Sequence, residues 1–293
     1  MKRPRLIPLA TVQGLPSHFR IGQILDLSGG KSISFEELIE RIASKDLIFV
    51  GEVHDNPEHH LVQVQILQAL VASAGPVGVA MEFFQEGHQP SLDRYLGGEI
   101  NEEAFLKEVA WDKSWGYNFH FYRPLLLLAK EKAMKVLAIN APNEIVRKVA
   151  REGLKGLDIE ERKQLPRDID LTHEAHRAYL RDIYKQHAHS DLINFEYFYE
   201  AQCVWEETMA RNLSKYQEEK GEKLIVFTGN GHIFRKFGIP DRAVRRFPAS
   251  LVTIMPYPIA NKEAIERDEA DYVWLTPSYL HRPRLPPMER TTP

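Results

Sequence analysis

Five short apolar runs constrain this chain more than any other feature: Leu47 to Val50, Val77 to Met81, Lys135 to Ile139, Lys223 to Phe227 and Leu251 to Met255. A run of this length without polar alternation suits a strand buried on both faces. Such strands arise where helices cover both sides of a parallel sheet, and helical patterns lie between most of the runs. The expected fold class is therefore α/β, a parallel β-sheet flanked by helices with a smaller helical insertion domain.

The intervening helices mark their own ends. Ser34, three residues before Glu37, has the spacing of a helix cap, and Asn56 followed by Pro57 supplies a cap and a first-turn proline for a helix through Ser73. A third helix is expected from Pro142 to Gly153. Upstream, apolar residues flank Gly29 and Gly30, which predicts an edge hairpin.

Between residues 154 and 220 the strand pattern stops and two long helical stretches take over. The first, from Thr172 to about His187, carries His176, Leu180, Ile183 and His187 on one stripe. The second, from about Ile193, repeats Phe195, Phe198, Tyr199, Gln202, Trp205, Met209 and Leu213 at spacings of three and four, a wide apolar face. The organisation expected is a sheet domain in two parts, 20–153 and 221–276, a helical subdomain over 154–220 suited to dimerisation, and an extended proline-rich tail over 277–293.

Composition removes several function classes. A net charge of -3 and a pI near 6.5 provide no positive field for a nucleic-acid backbone or an anionic membrane. The single cysteine, Cys203, lies in a helical pattern and reads as a buried, inert thiol. The N-terminal stretch lacks the apolar core of an export signal and no segment has the length of a membrane span, so the chain as given is expected to be cytoplasmic.

In a parallel sheet, ligands bind beyond the carboxyl ends of the strands. Here the first run is followed by GEVHDNPEHH, the second by Glu82, the third by Asn140 and the fourth by GNGH. Four successive run ends thus deliver Glu52, His54, Asp55, Asn56, Glu82, Asn140, Asn230 and His232 to one edge. His59 and His60 follow in the first helical turn, where one of them faces away from that edge. Two imidazoles and a carboxylate, His54, Glu82 and His232, have the ligand types of a divalent metal site open to water, with Glu52 as general base. A metal-free version uses Glu52 and Glu82 as an acid/base pair with His54 relaying protons.

The aromatic stretch from Trp111 to Pro124 either packs under the helix that follows or walls a pocket for a flat ligand, with Arg123 meeting a carboxylate. His173 and His176 share a helix face, and with Tyr179 they are residue types that ligate haem iron.

The blocks GEVHDNPEHH at 51–60, MEFFQ at 81–85, W…YRPLLLLA around Trp115 to Ala129, AINAP at 138–142, the AQ…W…TMA helix around 201–210, and TGNGH with GIP over 228–240 together resemble the ChaN-like haem-binding uptake family. That family belongs to a wider grouping with TIKI/TraB proteins and erythromycin esterases. The resemblance spans most of residues 20–257. It implies a helix-flanked parallel sheet, a helical domain used for dimerisation, and haem bound cofacially at a homodimer interface. It also implies a relation through paired Gly-x-x-His motifs, here Gly51 to His54 and Gly229 to His232. Haem-uptake members are commonly exported lipoproteins, and neither an export signal nor a lipobox cysteine stands in this sequence.

Two functions follow. The first is a haem-binding protein linked to iron or haem uptake. The alternative is a hydrolase of a small-molecule or peptide substrate that uses Glu52, His54, Glu82 and His232, with a divalent metal or with carboxylates alone.

Overall fold

The computed structural model describes residues 8–75, 77–186, 194–260 and 262–278. His187, expected on a helix stripe, the expected helix start near Ile193, the residues before 8 and the tail after 278 lie outside the described residues.

Eleven strands are present among the described residues: β1 (Leu9–Val12), β2 (His18–Phe19), β3 (Ile24–Asp26), β4 (Lys31–Ile33), β5 (Leu47–Val50), β6 (Gly78–Gln85), β7 (Val136–Asn140), β8 (Leu224–Phe227), β9 (Leu251–Ile259), β10 (Lys262–Ile265) and β11 (Tyr272–Pro277). Eight of them form one sheet in the order β4-β3-β11-β9-β5-β8-β6-β7, and β10-β1-β2 form a second, small one. From β11 to β7 every pairing is parallel; β3 and β4 extend the edge antiparallel, joined by the turn at Gly29 and Gly30.

The helices are α1 (Phe35–Ile42), α2 (Pro57–Ala74), α3 (Gln89–Leu96), α4 (Glu102–Glu108), α5 (Trp111–Ser114), α6 (Arg123–Glu131), α7 (Asn143–Glu152), α8 (Ile159–Lys163), α9 (Glu174–Gln186), α10 (Phe195–Lys220) and α11 (Ile239–Arg246). The Ser34 hydroxyl accepts from Glu37 N, and the Asn56 side chain accepts from Glu58 N ahead of Pro57. Gly153 ends α7 at a φ of +73°, a backbone conformation open to glycine at little cost.

The apolar runs become fully buried strands because successive side chains enter two different cores. Ile48, Val50, Val79, Met81, Ile225 and Phe227 join the core that contains Ile66 and Leu70 of α2 and Leu125 of α6. Leu47, Phe49, Ala80, Leu224 and Val226 face the other way, onto Met209 and Leu213 of α10 and Ile239 of α11. Both faces are thus covered.

Two parts of the sheet depart from the expectation. β11 adds a sixth parallel strand, and it includes Pro277, the residue from which an extended tail was expected. Pro277 is accommodated at the strand end, opposite Ile259, and Pro256 lies inside β9 opposite Trp274. The small sheet of β1, β2 and β10 was not foreseen; its strands run from two to four residues.

Candidate functional site

The carboxyl ends of β5, β6, β7 and β8 meet at a cavity of about 550 Å³ whose lining includes His54, Glu82, Asn140 and His232. Its walls are aromatic: Trp115 and Tyr117 come from the segment after α5, and Phe198 and Trp205 from α10. Arg147 of α7 also lines it and is exposed.

Two close approaches bring the motif ends together. A β-carbon on Gly51 would stand 2.0 Å from Asn230 Oδ1, and one on Gly229 would stand 3.0 Å from His54 Cε1. Each motif's glycine therefore makes room for a side chain of the other motif. Asn230 is held over Gly51 by donating from Nδ2 to Pro256 O at 2.8 Å, while its own N–H donates to Glu52 O at 2.8 Å.

Glu52 lies beneath the floor, its side chain fully buried. Its Oε1 receives the Nδ1–H of His54 at 2.7 Å and the Tyr122 hydroxyl at 3.1 Å; its Oε2 receives Gln63 Nε2 at 2.9 Å. His60 Nδ1 is 3.3 Å from the same Oε2, and His60 Nε2 donates to His54 O at 3.1 Å. His54 itself projects upward, edge-on to Trp115 with ring centroids 4.8 Å apart. Burial alone would lower its pKa, but the bond to Glu52 and the fields of Glu82 and Glu52 raise it above the ordinary imidazole value. Its Nε2 has no hydrogen-bond partner among the described residues.

His59 faces away, as one member of the His59–His60 pair had to. Its Nδ1 accepts from Val53 N at 2.8 Å and its Nε2 pairs with Thr276 Oγ1 at 2.9 Å, linking the loop after β5 to β11. Burial, with the neighbouring His60, lowers its pKa to about 3, so the ring is neutral.

On the other side, Glu82 accepts from the Thr228 hydroxyl at 2.5 Å and from Gly229 N at 2.7 Å. His232 stands between two carboxylates: Nε2 is 3.5 Å from Glu82 Oε1 and Nδ1 is 3.2 Å from Glu206 Oε1. Burial would discharge the ring, but Glu82 and Glu206 outweigh it and raise its pKa to about 10. Burial likewise would raise the Glu82 pKa, and His232 and His54 hold it down, to about 2.

Glu206 was not singled out in the sequence, yet it anchors this half. It accepts from Arg242 Nε at 3.3 Å and lies 3.4 Å from His176 Nε2. Arg242 also donates to Glu207, to Asp170 O and to Cys203 Sγ. A signal was present: Glu206 sits four residues after Gln202 and three before Met209, on the apolar stripe of α10, where a carboxylate needs buried partners. Gln63 is similar, one turn after His59 in α2. Cys203 is buried, and burial raises its thiol pKa to about 12, in keeping with an inert thiol.

Several expected site residues stand elsewhere. Arg123 pairs with Glu102 at 2.6 Å and does not line the cavity; a carboxylate of the protein occupies it. Asn56 serves as the α2 cap and donates to Pro277 O at 3.4 Å. Asp55 lies in the turn after β5 outside the cavity lining, where its charge helps raise the Tyr117 pKa. His176 is fully buried against Glu206 and Arg242, His173 Nδ1 caps α9 by accepting from His176 N at 3.1 Å, and Tyr179 stacks on Phe234 with centroids 4.4 Å apart. None of these three lines the cavity.

Among the described residues no group of three or more His, Cys, Asp and Glu is arranged to hold a metal ion. The expected set of His54, Glu82 and His232 is instead occupied by pairing, since both nitrogens of His232 and both oxygens of Glu82 already face protein partners. A cavity with aromatic walls, a lining imidazole nitrogen without a partner among the described residues and a cation at the rim does fit a flat cofactor that carries carboxylates, such as haem.

The profile of the family described as "Haem-binding uptake, Tiki superfamily, ChaN" matches residues 38–243, more than half of the chain. This protein belongs to that family. The solved structure titled "Cofacial heme binding to ChaN of Campylobacter jejuni" superposes with a TM-score of 0.68 over 86% of this chain and 95% of that one, at 23% identity. An erythromycin esterase structure, a mutant of EreC in its open conformation, has a TM-score of 0.47 at 13% identity, covering 80% of this chain and 76% of that one. A curated relative, "Protein RETICULATA-RELATED 5, chloroplastic" of Arabidopsis thaliana, is 22% identical over 80% of this chain. The match spans about a third of that relative's length, 34%. Among the described residues no helix is long and apolar enough to cross a membrane.

Proposed function

We propose that this protein binds haem in the cavity at the carboxyl edge of the sheet and serves in haem or iron uptake or handling. Membership of the ChaN family supports haem as the ligand, and the observation that carries the location is the cavity itself. Trp115, Tyr117, Phe198 and Trp205 offer flat apolar surface, and Arg147 offers a cation to a propionate. Its volume of about 550 Å³ lies within the roughly 300–1,000 Å³ typical of small-molecule sites. Titration of the purified chain with ferric haem should give a saturable Soret band at micromolar haem, and Trp205→Ala should weaken binding about tenfold. Absence of a Soret change across that range overturns the reading. Size-exclusion chromatography of the same samples tests the homodimer expected from the resemblance.

A second reading, hydrolysis without a metal, has one observation in its favour. The two imidazoles differ in access: His232 has a carboxylate on each nitrogen, whereas the Nε2 of His54 faces the cavity, where it would act as a base on water. Turnover of an activated ester that disappears in His54→Ala, with no haem bound, would move the assignment to this reading.

A further inference from the structure

We infer that the strand-end cavity takes an ester with an anionic tail, such as the monoester of a long dicarboxylic acid, and that Lys113 and Arg147 form the subsite for that tail; this rests on the second reading, hydrolysis at His54, and not on haem. A second cavity of about 520 Å³ adjoins the first, and the two share Ser114, Asn143 and Arg147. The partition between them is thin. Asn143 donates from Nδ2 to Ser114 O at 2.6 Å, and Arg147 donates from Nη2 to Lys113 O at 3.5 Å.

Both cations at this partition are uncommitted. Lys113 and Arg147 are exposed, and neither makes an ion pair among the described residues. The neighbouring carboxylates Glu108 and Glu161 face Arg94 and Lys148 instead. Arg123 was taken up by Glu102, whereas no carboxylate of the protein has taken up these two. Helix α7 adds to the same field, since it begins at Pro142 without a side-chain cap and its first-turn residues line the second cavity. Glu144 of that turn opposes it.

The first cavity sets the orientation. Glu82 places a carboxylate on its lining beside His232, so the anionic end of a ligand is driven away from the imidazoles and toward Arg147. Between the two ends, Trp115, Tyr117, Phe198 and Trp205 accept an apolar body. His54 keeps its Nδ1–H on Glu52, so Nε2 can take a proton from water as the water oxygen bonds to the acyl carbon. The bond from that carbon to the leaving oxygen then breaks, and this oxygen receives the proton back from His54, which leaves a carboxylic acid and an alcohol.

The test compares p-nitrophenyl octanoate with the mono-p-nitrophenyl ester of octanedioic acid, which has a carboxylate in place of the terminal methyl group. At low ionic strength kcat/KM should be about tenfold higher for the anionic ester, the size of one charge-assisted hydrogen bond, and the ratio should fall toward one in about 0.5 M salt. In Lys113→Ala/Arg147→Ala the ratio should be about one, and in Glu144→Gln it should rise; thermal midpoints show that both variants are folded. A ratio of one in the wild type, or a preference that survives the double variant, overturns the subsite. Turnover that is undiminished in His54→Ala removes the hydrolytic reading instead. The anilides of the same two acids, followed by tryptophan fluorescence, separate the two failures where neither ester is turned over. Tighter binding of the anionic anilide, lost in the double variant, then upholds the subsite without hydrolysis, and equal affinities overturn it.

Discussion

Two carboxylates support the cavity floor, Glu52 and Glu206, and they are equally buried, with side chains 0% and 1% exposed. They are satisfied by different means. Glu52 receives a phenol, an amide and the Nδ1–H of His54, whose other nitrogen stays open. Glu206 sits among Arg242, His176 and His232, and His232 is closed on its far side by Glu82. The first half leaves a donor available; the second is a closed charge network whose stability depends on every member. A carboxylate held by polar donors can present a neighbour for chemistry, whereas one held by cations serves mainly to fix positions.

The largest effect should come from opening the closed half. Arg242→Met leaves Glu206 buried without its guanidinium, while Glu207 keeps Arg245 and Arg246, and breaking a buried pair in this way costs about 3–5 kcal/mol. Urea unfolding measures it, and a loss below about 1 kcal/mol would show that the network does not depend on its cation. On the open half, Glu52→Gln keeps the shape but turns one acceptor into a donor facing Gln63, Tyr122 or His54. A cost of about 1–3 kcal/mol is expected, smaller than at Arg242 because no charge is stranded.

Two histidines, one beside each half, should also respond to pH with opposite sign. His59, beside the open half, has its pKa lowered to about 3, so the unfolded chain takes up its proton first. The stability it contributes is present above about pH 6.5 and is lost as pH falls toward 3, about 1–2 kcal/mol between pH 7 and 5. His232 has its pKa raised to about 10, so its contribution is complete below about pH 6.5 and declines as pH rises through 10. Denaturation midpoints followed from pH 5 to 10 should therefore lose the acid slope in His59→Gln and the alkaline slope in His232→Asn. A His232→Asn chain with an unchanged alkaline limb would mean that Glu82 and Glu206 do not hold a cation between them.

The open half was more legible in the sequence than the closed one. Glu52 and His54 stand directly after an apolar run, and strand-end polarity is a local signal. β5 spans the expected Leu47–Val50. The closed half depends on α10 and α11, where Glu206 and Arg242 are separated by 36 positions and look like ordinary helix charges until the two helices are packed together. The same physics hid β11 and the small sheet. A strand such as YVWLTP with two buried neighbours differs little from a loop until β9 and β3 are beside it. Arg123 failed for a related reason: a cation after an aromatic run suits a ligand carboxylate, and Glu102, distant in sequence, supplied one from the protein.

The smallest effect on stability should be the most telling for function. Gly51→Ala and Gly229→Ala place a methyl group at matched positions of the two motifs, but the space differs. At Gly51 the new carbon would fall 2.0 Å from Asn230 Oδ1 and 3.0 Å from Ile233 Cδ1, so Asn230 must leave its bond to Pro256 and the fold loses about 1–3 kcal/mol. At Gly229, whose φ of -64° suits any residue, the nearest atoms are His54 Cε1 at 3.0 Å and Nε2 at 3.3 Å, the exposed rim of a ring able to tilt toward the cavity. Stability should change by less than about 1 kcal/mol. The methyl group nonetheless crowds the cavity-facing nitrogen of His54, so Gly229→Ala should bind haem more weakly than its thermal midpoint would suggest. Equal losses of stability in the two variants, with unaltered haem affinity in Gly229→Ala, would mean that both glycines serve packing alone and that the open half is no more available than the closed one.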